Sequence, residues 1–196
     1  MILIAGASFT ATQEHPTWHD NLINPKHKKI NLATIGAGNI YIGESVKTML
    51  VNKIRAVLIM WCEMDNLDIA GSKSITEYSS PLGGKIWNHY GNMVSGKGKS
   101  DWKHLGYDKV VEMNIDSITS TLKALDQSGI PYAYSFSHDD ENIPEDIKRN
   151  AIKPFLGNYA VEKKMVKEDN YHANVDAHRQ WSDLAISQIR FMDVIS

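Results

Sequence analysis

Thiol chemistry is almost absent from this chain of 196 residues: Cys62 is its single cysteine. That excludes an internal disulfide and any multi-cysteine zinc site. Long apolar runs are missing too, with nothing near the ~20 residues that a membrane-crossing helix needs. The opening Met1-Ile2-Leu3-Ile4-Ala5-Gly6 has neither the basic flank nor the apolar length of a signal peptide. Neither sign of charge dominates, since 21 Lys and Arg face 23 Asp and Glu for a net −2. This balance lacks the basic excess of a nucleic-acid binder, and a hydrophobic content of 42% excludes a disordered chain. No internal repeat or low-complexity tract interrupts it. The expectation is one soluble domain spanning 1–196, folded in a reducing or cytoplasmic setting, cytoplasmic or phage-associated, with no membrane or nucleic-acid partner. At this size folding buries roughly 70% of the unfolded surface, so no staple is required.

What is present alternates. Short apolar runs at Ile2–Ala5, Lys29–Ile35, Ala56–Trp61 and Tyr132–Ser137 end in glycine or polar turns. Near-continuous apolar runs suit strands covered on both faces, as in a parallel sheet. Between them fall helical periods. One covers Ile42 to Val51. A second covers Asp108 to Gln127, with Val111, Ile115, Ile118, Leu122 and Leu125 on one face and Gly129 closing it. The third runs from Asn174, a natural N-cap, to Met192, with a stripe of Trp181, Leu184, Ala185 and Ile189. The alternation predicts an α/β fold in three layers, flavodoxin-like, with a mostly parallel sheet of four or five strands.

Asn66 to Lys103 fits neither period and is rich in Gly, Ser and Pro, with Trp87, His89, Tyr90 and Trp102 among them. Such a lid-like excursion after the third strand belongs at the carboxyl edge of the sheet, where α/β proteins bind ligands. Its aromatic residues suit stacking on a sugar ring or lining an acyl pocket, and equally a protein contact.

Two segments carry candidate chemistry. Ser8 follows the first strand in Gly6-Ala7-Ser8, a position that exposes a nucleophile among backbone amides. Asp169 and His172 stand three apart before the last helix, a spacing that lets a carboxylate orient an imidazole. Other groupings have simpler readings. His15 and His19 have helical metal-pair spacing, but Pro16 lies between them and a surface or lid role fits better. His138-Asp139-Asp140-Glu141 reads as a solvated acidic loop or a hard-cation site. Gly36-Ala37-Gly38 lacks the third glycine of a dinucleotide fingerprint, Tyr41 standing there instead. Cys62 reads as a small buried hydrophobe, and Lys26-His27-Lys28-Lys29 as a solvent-facing run.

In order and spacing these segments resemble the SGNH (GDSL-like) hydrolase family. Gly6-Ala7-Ser8 resembles its first block, Asn31-Leu32-Ala33-Thr34-Ile35-Gly36 its second and Asp169-Asn170-Tyr171-His172 its fourth. The segment His178–Leu184 is similar to the family's closing helix, and the short build with a long aromatic lid to members from phage genomes. The resemblance implies strand order 2-1-3-4-5, Ser8 as nucleophile, His172 as general base and Asp169 as its orienter. The oxyanion would be held by the backbone amides of Ser8 and Gly36. Two positions depart from the pattern. Ala7 replaces an aspartate, and the third block, Cys62-Glu63-Met64-Asp65, carries Met64 where the family has its oxyanion asparagine. Asn39 or Asn66 would then substitute as donor. The implied activity is hydrolysis of an ester through an acyl-serine, without metal or cofactor, on an acyl ester or an O-acetylated carbohydrate. The competing expectation is a degenerate member that binds or builds without turnover, such as a phage virion component.

Overall fold

In the computed structural model, residues 1–11, 16–35, 37–50, 53–64, 66, 75–79, 85–89, 107–167 and 172–196 are described, 75–79 and 85–89 by their backbone. Every residue of β1 (Ile2–Gly6) and β3 (Ala56–Trp61) is buried. Because successive side chains in a strand face opposite ways, each strand feeds two separate cores. Leu3, Ala5, Val57, Ile59 and Trp61 pack beneath α2 (Asn39–Met49) and α3 (Tyr107–Ser128). Ile2, Ile4, Ala56, Leu58 and Met60 pack beneath helices introduced below, on the other face. Two cores divided by one sheet make the three layers.

The sheet also contains β2 (Lys29–Asn31) and β6 (Tyr132–Phe136), in the order β2-β1-β3-β6 with all neighbours parallel. Four strands form it, and among the described residues no fifth extends it. The second run pairs over three residues instead of seven. Asn31 Oδ1 accepts the Ala33 amide at 2.9 Å, an Asx turn that diverts the backbone from the ladder. Within the excursion, β4 (Ile75–Ser79) and β5 (Lys85–His89) form an antiparallel ribbon where no period was legible.

The second core is covered by α1 (Trp18–Leu22), α5 (Leu156–Glu162) and α6 (Val175–Ile186), while α4 (Glu145–Asn150) adds Ile147 to the first. A last turn, α7 (Met192–Ile195), buries Ile195. The helix expected from Asn174 to Met192 thus stops at Ile186, and α7 only begins at Met192. Asn174 does cap α6, its Oδ1 accepting the Ala177 amide at 3.0 Å. Leu184 leaves the expected stripe and is exposed. Gly129 closes α3 at φ 66°, a left-handed conformation that favours glycine. Among the described residues no helix is long and apolar enough to cross a membrane.

Where α2 crosses α3, Gly43 allows the close approach. A Cβ there would lie 2.6 Å from both Ser117 Oγ and Thr121 Oγ1, hydroxyls already bonded to the carbonyls of Asn39 and Ser117. Gly43→Ala should therefore destabilise the fold by about 1–3 kcal/mol despite its better helix propensity. Urea denaturation would show this as a lower midpoint at unchanged slope.

Candidate active site

Strand register sets which residues meet at the carboxyl edge. Gly6 is level with Met60, and Met60 with Ser135. Two steps further along each chain stand Ser8, Cys62 and Ser137, followed by Glu63 and His138. The turn that presents Ser8 is tight: the amides of Thr10 and Ala11 both donate to Ala7 O at 2.9 Å. Glycine is required at position 6 because the turn folds back over it, and a Cβ there would lie 2.4 Å from Thr10 Oγ1. Thr10 is fully buried and doubly held, Oγ1 accepting from Trp18 Nε1 at 3.1 Å and its carbonyl from Asn31 Nδ2 at 3.1 Å.

His172 reaches Ser8 from the other end of the chain. Its Nε2 lies 2.9 Å from Ser8 Oγ, and both residues are half-buried. Beside them a short antiparallel bridge, Val166 to Ala173, fixes the loop that carries the histidine. Lys167 N donates to His172 O at 2.8 Å and Asn174 N to Met165 O at 2.9 Å. The Phe9 ring packs 5.3 Å from the His172 ring and limits its rotation. Asp169, Gly36, His15, Tyr90 and Trp102 lie outside the described residues. Trp87 and His89 belong to β5, opposite Glu77 and Ile75 of β4.

Asn39 takes a different place from the one expected of an oxyanion donor. It is fully buried, and its Nδ2 donates to the carbonyls of Cys62 at 3.2 Å and Glu63 at 3.3 Å. Its Oδ1 accepts the Cys62 amide at 2.9 Å. The side chain clamps the end of β3, and both its amide hydrogens are committed there. Asn66 donates to Glu63 Oε2 at 3.3 Å. Met64 is itself buried in the core, and Asn114 of α3 holds the turn around it through the carbonyls of Met64, at 2.8 Å, and Asn66, at 2.9 Å.

The neighbouring acidic loop braces the same edge. His138 Nδ1 sits 2.8 Å from Glu63 Oε1, which also accepts from Ser137 Oγ at 3.1 Å. Asp139 pairs with Lys148, and Asp140 accepts the Met64 amide at 3.3 Å. Among the described residues no group of three or more His, Cys, Asp or Glu is gathered as a metal site would need. His19 is buried and not at the surface. Its ring packs edge-on against Trp18, with Nε2 3.1 Å from Asn31 Nδ2. Cys62 is also buried, its Sγ 3.2 Å from Asn39 Oδ1.

One residue here was legible only as part of a helix. His178 is 8% exposed and accepts the Trp18 amide on Nδ1 at 3.2 Å. Burial first, then the positive charge of Lys167, hold its imidazole down at about 4. The unfolded ring has an ordinary value of 6.5, so between pH 6.5 and 4 the unfolded chain binds the extra proton. Stability should fall by about 3 kcal/mol as pH drops through that window, and His178→Gln should flatten the slope in pH-dependent thermal melts.

Two cavities are open to solvent near these layers. A groove of about 670 Å³ lies beside β6, the outermost strand, lined by Tyr132, Tyr134, Arg149 and Arg190 among others, and holds none of the site residues. A recess of about 10 Å³ adjoins Ser8 itself. No protein-family model matches the chain, and no curated protein matches it either.

Proposed function

We propose that the chain is a serine hydrolase of SGNH type that cleaves an ester through an acyl-serine at Ser8. The observation that carries this reading is the 2.9 Å contact between Ser8 Oγ and His172 Nε2, made across the whole chain at the carboxyl edge of a parallel sheet. In the proposed mechanism Ser8 Oγ attacks the acyl carbonyl as its proton passes to His172 Nε2. The imidazolium then protonates the departing alkoxide, and water repeats the cycle in reverse to free the acid. Phe9 and the Val166–Ala173 bridge hold the base in place for both transfers. The site is small at Ser8, which suits a short acyl group such as an O-acetyl on a carbohydrate.

A fluorophosphonate probe tests this reading. Covalent labelling mapped to Ser8 by mass spectrometry is the expected result. No labelling of the folded protein would overturn it. A second reading, a binding or structural protein that keeps the scaffold without turnover, is favoured by Asn39 and Met64: neither brings a side-chain N–H to an oxyanion. Loss of one such donor costs on the order of 10²–10³ in rate.

A further inference from the structure

Parallel pairing decides which backbone groups of β6 face away from the sheet. The Val57 amide donates to Pro131 O at 3.0 Å and the Ser137 amide to Trp61 O at 2.8 Å, so alternate residues from Pro131 to Ser137 bond to β3. Tyr132 and Tyr134 therefore turn their amides and carbonyls outward. Ile152 N donates to Tyr134 O at 2.8 Å. Among the described residues no partner meets the Tyr134 amide, nor the amide and carbonyl of Tyr132. Tyr134 is buried, where an amide without an acceptor is costly. These three groups lie at the groove of about 670 Å³, which wraps around the strand. On the side of the first core it is walled by Lys123 of α3 and by Asp146 and Arg149 of α4. On the side of the second core stand Arg190 and the half-buried ring of Phe191.

The character of a ligand follows from that lining. Among the described residues Lys123, Asp146, Arg149 and Arg190 form no ion pair, although charges of both signs share one groove. Asp126 also lines it and accepts the Tyr132 hydroxyl at 2.6 Å. A polyanion would meet the two carboxylates, and a polycation the three cations. A chain of hydroxyls meets neither penalty, because each hydroxyl both donates and accepts. The C–H face of a sugar ring also suits the half-buried rings of Tyr132 and Phe191. The volume falls within the ~300–1,000 Å³ of ligand sites. We propose that this groove binds an oligosaccharide, with Arg149 and Arg190 donating to its hydroxyls, Asp146 accepting from them, and the β6 backbone at Tyr132 and Tyr134 completing the contacts. Tyr132 is level with Val57 and so with Leu3, five positions before Ser8, which sets the groove apart from the serine. On the hydrolase reading the groove anchors a carbohydrate whose ester reaches Ser8; sugar binding itself does not depend on that reading.

Soluble oligosaccharides, in a neutral set and a uronic-acid set, are the probes. Titrated into the ¹⁵N-labelled wild-type protein, members of at least one set should shift the Tyr132 and Tyr134 amide resonances saturably. Arg149→Ala and Arg190→Ala each remove an exposed side chain without a partner among the described residues, so the fold should survive both. Each should weaken binding by about tenfold, as loss of a charge-assisted hydrogen bond does. No saturable shift from either set, shifts confined to the loop around Ser8, or an affinity indifferent to both arginine changes would each overturn the sugar site. Equal shifts from polyglutamate would overturn it too, and would make the groove a surface for acidic peptides. The two readings fail separately. Missing fluorophosphonate labelling sinks the hydrolase and leaves sugar binding intact, and the reverse result sinks only the groove.

Discussion

Ser8→Ala is expected to eliminate fluorophosphonate labelling and to lower ester hydrolysis by on the order of 10³-fold or more. The reason is local. The Ser8 hydroxyl is the group within hydrogen-bond reach of His172 Nε2, and alanine leaves that imidazole with no nucleophile to activate. His172→Ala should match the loss in hydrolysis, since base and nucleophile act as a unit, and the double variant should be hardly worse than either single one. Thermal melts of Ser8→Ala should stay within about 0.5 kcal/mol of wild type, because the hydroxyl is half-buried on a surface turn. Additive losses across the double variant would contradict a working pair.

The largest effect on stability is expected at Trp181. It is 1% exposed, donates from Nε1 to Pro154 O, and meets Trp18 edge to face at a ring separation of 5.7 Å. Together those two indoles join α6 to α1 over the second core. Trp181→Ala should cost about 3–5 kcal/mol. In a domain of this size that lowers the melting midpoint by roughly 10 °C. The same helix is continuous with the segment that holds His172, so reactivity should decline at temperatures below the melt. Calorimetry beside probe labelling on a temperature ramp would detect that separation.

Much of the fold was written in short-range pattern. The apolar runs mark β1, β3 and β6 because strands covered on both faces need no alternation, and Gly129 and Asn174 mark helix ends because their local chemistry decides those positions. The α4 and α5 helices are too short, and lie too close to Pro144 and Pro154, to show a period. For the site, residue type gave the pair Ser8 and His172 but not the direction of side chains set by distant partners. Asn39 is turned by the end of β3, 23 residues away in sequence. His178 depends on Trp18, 160 residues away. The Glu63–His138 pair was split between two motifs, although counting equal steps past the paired ends Trp61 and Phe136 would have joined them.

The contact between Ser8 and His172 spans 164 positions of sequence, and α6 and α1 dock beside it through Trp18, His178 and Ser182. Such long-range closure is among the slowest events of assembly. On the proposed reading, the reactivity of Ser8 would therefore be a clock for folding. In a refolding experiment, strand formation and collapse would precede it, and reactivity toward a probe would emerge last, at the rate at which the C-terminal helix seats on the N-terminal one.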